Sequence, residues 1–114
     1  SSLPTYMLTH WARDRVRGPK FDIEFVVKRL ASEVADFFGF HDRARLEVGK
    51  KADVNVIDHA ALRLHHPEIR YDLPAGGKRL VQRADGYTAT IVSGVPVFEK
   101  GEETGTRPGQ LVRA

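Results

Sequence analysis

Apolar and polar positions divide this chain into a helix-patterned first third and a strand-patterned remainder. Near the start, Tyr6 with His10, Met7 with Trp11 and Leu8 with Ala12 stand four residues apart. That spacing puts each pair on one helix face and gives the helix a broad apolar surface. Pro4 suits a first helical turn, where its missing N–H costs nothing. Arg13, Arg15 and Arg17 suit the negative pole of the helix dipole. Gly18-Pro19 predicts the stop.

A second helical signal follows. Asp22 is a good N-cap residue, and Phe21 before it is placed to staple onto Val26. Ile23, Val26, Val27, Leu30, Val34, Phe37 and Phe38 recur at helical spacing. The pattern predicts one apolar face, with Ile23, Val27, Leu30, Val34 and Phe37 as the main packing surface. Gly39 can close the helix in the left-handed conformation, with Phe40 folding back on it. Ser32, itself a good N-cap, leaves open whether this is one helix or two.

After Gly49 the period changes. Ala52-Asp53-Val54-Asn55-Val56-Ile57-Asp58 alternates as a half-buried strand does. Residues 59–64 suit one helical turn, and residues 65–77 read as loop, punctuated by Pro67, Pro74 and Gly76-Gly77. Residues 78–82 are a short strand candidate. Residues 87–92 are rich in β-branched and aromatic types, and Ser93-Gly94 offers a tight turn into residues 95–99. Pro96 cannot donate a ladder hydrogen bond, which predicts a sheet edge or the first residues of a strand. Helices first and strands last give an α+β chain, or the tail of one domain followed by part of another.

Composition narrows the class. At 114 residues, 41% hydrophobic and 29% charged, the chain has the balance of an ordinary globular protein. No apolar run approaches the roughly 20 residues of a membrane helix. No basic start with an apolar stretch of about 7–15 residues marks a secretory signal. A soluble, cytoplasmic protein without membrane partners is expected. The absence of cysteine removes disulfides, thiolate metal sites and cysteine nucleophiles together. The chain opens on Ser1 without an initiator Met, which predicts processing or excision from something longer. Net charge is +3, but the positives are scattered among Asp and Glu, without a basic block or stacking aromatics. No nucleic-acid partner is expected.

Chemistry is sparse. The five histidines show neither His-x-His nor two His one helical turn apart beside a Glu, the spacings that aim two rings at one ion. His65 and His66 are adjacent, so in an extended chain they point to opposite sides. His10 on an apolar helix face reads as a packed histidine, and His41 and His59 as polar residues at element ends. Ser1, Ser2, Ser32 and Ser93 lack the Gly-x-Ser-x-Gly elbow. Asp53, Asp58 and Asp72 read as structural carboxylates, and the glycines do not form a phosphate-cradling loop. The sequence therefore assigns no catalytic, cofactor-binding or metal-ligating residue to this chain.

One stretch carries a resemblance. Gly49-Lys50-Lys51-Ala52-Asp53-Val54-Asn55-Val56-Ile57-Asp58 is similar to the signature with which amidohydrolase-superfamily chains leave the catalytic barrel for a small β-sandwich domain. Upstream, Ala35-Asp36-Phe37-Phe38-Gly39-Phe40 resembles the segment that precedes it, with Val34 where the family often has Pro. Downstream, Val92-Ser93-Gly94-Val95-Pro96-Val97 resembles the family hairpin, with Ser93 for the common Asn. Thr104-Gly105-Thr106-Arg107-Pro108-Gly109 and Leu111-Val112-Arg113 resemble its closing segment. Leu3-Pro4-Thr5-Tyr6-Met7-Leu8-Thr9-His10-Trp11 and Tyr71-Asp72-Leu73-Pro74-Ala75-Gly76-Gly77-Lys78-Arg79-Leu80-Val81-Gln82 are similar to the N-acyl-D-amino-acid deacylase, or D-aminoacylase-like, branch, often labelled amidohydrolase family 3.

The resemblance implies a (β/α)8 parent with one or two divalent metals, usually zinc, at the C-terminal ends of barrel strands. In that mechanism metal-bound water attacks an amide carbonyl polarised by the metal, and an aspartate moves the proton. The family's ligand histidines and final aspartate precede the matched segments, so none is carried to a residue here. Residues 1–48 would supply terminal barrel helices, and residues 49–114 the C-terminal strands of the sandwich. The implied partners are the N-terminal part of the same enzyme and an N-acyl amino acid substrate. Self-association is also expected, because strands that pair with N-terminal strands in the family would stand open. The alternative is a free-standing interaction or structural module without hydrolase activity.

Overall fold

A computed structural model describes residues 2–113. Helix α1 (Leu3–Tyr6) runs without a break into a π-wound stretch, Met7–Asp14. Thr9 Oγ1 donates to the Thr5 carbonyl at 2.9 Å, a bond that competes with the backbone ladder where the winding widens. Arg15 is already extended, with φ −61 and ψ 126, so the helix stops before the predicted Gly18-Pro19. Arg15 instead lies over the Trp11 ring at 4.7 Å and donates to the Arg17 and Pro19 carbonyls. Of the three arginines, only Arg13 stands in the last turn.

The second helical signal resolves into α2 (Ile23–Leu30) and α3 (Ser32–Phe38). The break is Ala31, at φ −122 and ψ −81, and Ala31 rather than Ser32 holds the N-cap position of α3. Asp22 occupies the N-cap of α2, but its carboxylate makes no capping bond. Phe21, expected to staple onto Val26, packs on Phe25 at 5.3 Å and on Trp11 at 6.0 Å. The closing turn forms as predicted: Gly39 is left-handed, Gly39 N–H reaches the Asp36 carbonyl, and Phe40 N–H reaches Ala35 at 2.8 Å.

The predicted packing face needs correction. Val26 is fully buried, with Ile23 and Leu30 partly buried beside it. Val27 and Val34 are about half exposed, and Phe37 is 83% exposed. The kink at Ala31 sets the small residues Ser32 and Ala35 inward on α3 and leaves its large apolar residues outside.

The strands are β1 (Val54–Ile57), β2 (Arg63–Leu64), β3 (Glu68–Leu73), β4 (Gly77–Val81), β5 (Ala84–Asp85), β6 (Tyr87–Val92), β7 (Val95–Glu99) and β8 (Glu102–Glu103). All pairings are antiparallel: one sheet ordered β1-β6-β7-β8 and two ribbons, β2-β5 and β3-β4. The chain is thus α+β. The predicted turn at residues 59–64 is real only at its start, since Arg63 and Leu64 are strand. Residues 65–77 are not loop; most of them form the first arm and tip of a hairpin. The prolines and glycines that suggested loop sit at its ends, with Pro74–Gly76 as the tip. Ser93 and Gly94 take φ 52 and 79, the two positive values of the tight hairpin turn that was predicted. Pro96 is the second residue of β7, among the first residues of a strand as predicted, at an irregularity in the β6–β7 register; β8 pairs only further along, with Phe98 and Glu99.

Helices and strands share one core. Leu8, Val26 and Leu62 are buried together, with Met7, Ala12, Ile23, Leu30, Ile57 and Tyr87 packed around them. Polar contacts hold the same seam. Thr5 Oγ1 and Tyr87 OH share a bond of 2.7 Å, and His59 Nε2 donates to the Leu8 carbonyl at 2.8 Å. Arg13 reaches across to the carbonyls of His59, Ala60 and Leu62. The rest is thinly covered. The accessible surface is 8747 Å², against about 6,300 Å² for a compact monomer of this mass. The radius of gyration is 15.9 Å, against about 13 Å for a compact domain of this length.

Candidate functional site

An open groove of about 1240 Å³ lies between the two ribbons and the β6-β7-β8 side of the sheet. Its walls carry both signs of charge, including Arg70, Arg79, Arg83, Lys100, Asp85 and Glu102. The β2–β5 pairing sets Arg63 opposite Asp85. Arg63 Nη2 then donates to Asp85 Oδ2 at 3.0 Å, and His65 Nε2 to Asp85 Oδ1 at 2.9 Å. Asp85 is held below the ordinary carboxylate range, first by the bond from His65 and then by that from Arg63. The cluster is solvent-exposed, so its main effect is to tie β2, β5 and the chain after β2 together.

A lowered carboxylate pKa stabilises the fold above the ordinary range near about 4. That contribution is lost as pH falls through the lowered value. His65→Ala is expected to move the Asp85 titration up toward the ordinary range, read by carboxyl NMR. An unmoved titration would show that the His65 contact does not form in solution.

Most of the remaining candidates are engaged elsewhere. His10 stacks on Tyr6 at 5.0 Å and meets Trp11 edge-on at 5.2 Å, as a packed histidine. His59 is turned to the Leu8 carbonyl. His41 and His66 are exposed at element ends or in the link before β3. Asp53 accepts the Ser93 N–H at 2.8 Å, Asp58 accepts the Ala61 N–H at 3.1 Å, and Asp72 binds Arg79 through both oxygens at 2.7 Å. Ser32 is buried in α3, and Ser93 sits in the hairpin turn. Ser1 lies outside the described residues. Among the described residues no three His, Asp or Glu side chains are grouped to hold a metal ion. The donors present therefore do not fit the zinc that the resemblance implies for a whole enzyme. No helix among them is long and apolar enough to cross a membrane.

Sequence reasoning missed Asp85, Arg63 and the reach of Arg13. The first two meet only because β2 pairs with β5, and neither strand has enough residues to show a period. Arg13 was read as a helix-pole cation, while its partners lie far along the chain.

No match to the chain exists among the curated proteins or among the solved structures compared with it. The model of the amidohydrolase family matches residues 2–98, from the first helix to near the end of β7. That span covers most of the sequence and every element that builds the shared core, so the chain belongs to the amidohydrolase family.

Proposed function

We propose that this chain is the C-terminal segment of a metal-dependent amidohydrolase that cleaves linear amides of the N-acyl-D-amino-acid type. Residues 1–48 then act as the terminal barrel helices and residues 49–114 as strands of the small β-sandwich. The chain's role is structural, and zinc and the reacting groups belong to the rest of the enzyme. The observation that carries this reading is the surface. The chain exposes roughly 2,400 Å² more than a compact monomer of its mass. Much of the exposed apolar area lies on α2, α3 and the ribbons, where Val27, Val34, Phe37, Phe38, Tyr71 and Leu80 stand uncovered. An isolated domain buries such residues, whereas a segment of a larger fold meets its neighbours through them.

The expected result is that the 114-residue chain alone neither hydrolyses N-acetyl-D-amino acids nor retains zinc through mild chelation. One zinc per chain by elemental analysis after that treatment would overturn the proposal. The competing reading, a free-standing module, draws on the core shared by Leu8, Val26 and Leu62. Sequencing the gene upstream of the Ser1 codon separates the two. A His-x-His on an early strand supports the enzyme, and its absence from a complete reading frame supports the module.

A further inference from the structure

The first helix is wound wide over the eight residues Met7–Asp14. Their composition does not ask for it: Met, Leu, Ala and Arg are among the best α-helix formers, and the stretch holds neither proline nor glycine. An α-helix pairs each N–H with the carbonyl four residues back, and π winding beyond a single turn is rare. Two ladder carbonyls of this helix are claimed by donors from elsewhere in the fold. His59 Nε2, just after β1, donates to the Leu8 carbonyl at 2.8 Å, and the Phe21 N–H donates to the Trp11 carbonyl at 3.0 Å. In an α-helix those carbonyls would serve the N–H groups of Ala12 and Arg15. The Arg15 N–H goes instead to the His10 carbonyl, five residues back, at 2.9 Å. Near the same end, the Arg13 side chain is drawn across the seam to the carbonyls of His59, Ala60 and Leu62.

We infer that this helix is a two-register element, π-wound while the strand half is docked on it and α-wound when the contacts of His59 and Arg13 are withdrawn. A donor inserted beside the ladder draws a carbonyl off the helix axis, and the next N–H then finds the carbonyl one residue earlier. The Thr9 hydroxyl, bonded to the Thr5 carbonyl at 2.9 Å, is the local alternative. A single back-bond of that kind bends a helix at one point; it does not reach the register at Arg15. Closing the seam thus sets the winding, and the winding sets the row of rings along the helix. In the wide register Tyr6 and His10 stack at 5.0 Å, Trp11 meets Phe21 at 6.0 Å, and Arg15 lies over Trp11 at 4.7 Å. A π turn holds more residues than an α turn, so narrowing the helix rotates these side chains relative to one another and breaks up the row.

NMR couplings measured through the hydrogen bonds of the full chain identify the carbonyl partner of each amide. In the unsubstituted chain the amides of Ala12 to Arg15 are expected to couple to carbonyls five residues back. In the double variant His59→Ala, Arg13→Ala those couplings are expected to be lost and replaced by couplings four residues back, with the amide shifts of β6 and β7 unmoved. The single tryptophan of the chain, Trp11, lies within the stretch, and its fluorescence is expected to change in the same variant. His59→Gln, whose side-chain amide still offers a donor, is expected to keep the five-back pairing. Thr9→Val, which removes only the local hydroxyl, is expected to keep it too. Four-back pairing in the unsubstituted chain, five-back pairing that survives in the folded double variant, or conversion by Thr9→Val alone would each overturn the inference. Should the double variant not fold, His59→Ala alone decides: four-back couplings at Ala12 support the inference, and five-back couplings alone overturn it. None of these readouts uses activity, so the parent-enzyme proposal stands or falls separately.

Discussion

Leu62→Ala is expected to lower the unfolding free energy by about 2–5 kcal/mol, measured from denaturant midpoints at constant slope. Leu62 has no exposed surface and meets Leu8 from the first helix and Val26 from α2. Its backbone is fixed too, since Arg13 Nη2 donates to the Leu62 carbonyl at 2.7 Å. A side chain held this way leaves a cavity when truncated, because the surrounding helix and strand cannot close over it without breaking the Arg13 clamp. The loss is large for this chain. Leu8, Val26, Ala35 and Leu62 are its buried hydrophobic residues among those described, so one truncation removes a substantial part of the core. Leu111→Ala, at a position 79% exposed, is the control and is expected to stay within about 0.5 kcal/mol. Equal effects at the two positions would mean that helices and strands do not meet at Leu62 in solution.

What the sequence displayed depended on the range of the interaction. Gly39 with Phe40 and Ser93 with Gly94 were legible because a few adjacent residues fix a helix end or a tight turn through their own backbone angles. The strand-rich stretch 87–92 was legible for the same reason, from β-branched residues in a row. The apolar periodicity of α2 and α3 was also visible, but its phase was not. Within α2 the face that packs is centred on Val26 rather than Val27, and beyond the kink at Ala31 the residues Val34 and Phe37 stand outside. Periodicity assumes an unbroken helix; Ser32, a residue that often starts a helix, marked a possible break but not its geometry. Of the β3–β4 ribbon, β4 was legible as the strand candidate at residues 78–82, but β3 was obscured because Pro67, Pro74 and Gly76-Gly77 at its ends have loop chemistry. The exposed groove was the least legible feature. His65 was noted for its neighbour His66, yet its partner Asp85 is supplied by a two-residue strand pairing that no pattern announces. The signature Gly49 to Asp58 needed none of this, since family motifs preserve spacing where periodicity fails, and the family match spans the same residues.

The second large effect is expected at Gly86. Its backbone takes φ +96, and a Cβ built there would stand 2.6 Å from Leu62 Cα, 2.8 Å from Leu62 N and 3.1 Å from Ala61 C. All three are backbone atoms, so no rotamer change can make room. Gly86 is also held from the other side, where its carbonyl accepts the Asp58 N–H at 2.8 Å. Alanine must therefore either push the Leu62 backbone away or break the Asp58 bond. Displacing Leu62 opens the core that Leu62→Ala empties. Gly94 provides the comparison: it has φ +79, but a Cβ there meets nothing within 4 Å. Gly94→Ala is expected to cost only the left-handed penalty of about 1–2 kcal/mol. Gly86→Ala carries that same penalty plus the collision, and is expected to exceed Gly94→Ala by at least about 1 kcal/mol, in the range of overpacked cores. Because Gly86→Ala and Leu62→Ala act on one packed site, their double variant should lose less than the two single losses added together. Equal urea midpoints for Gly86→Ala and Gly94→Ala would show that the chain does not approach itself closely at Leu62, and strict additivity in the double variant would show that the two positions are not coupled through the core.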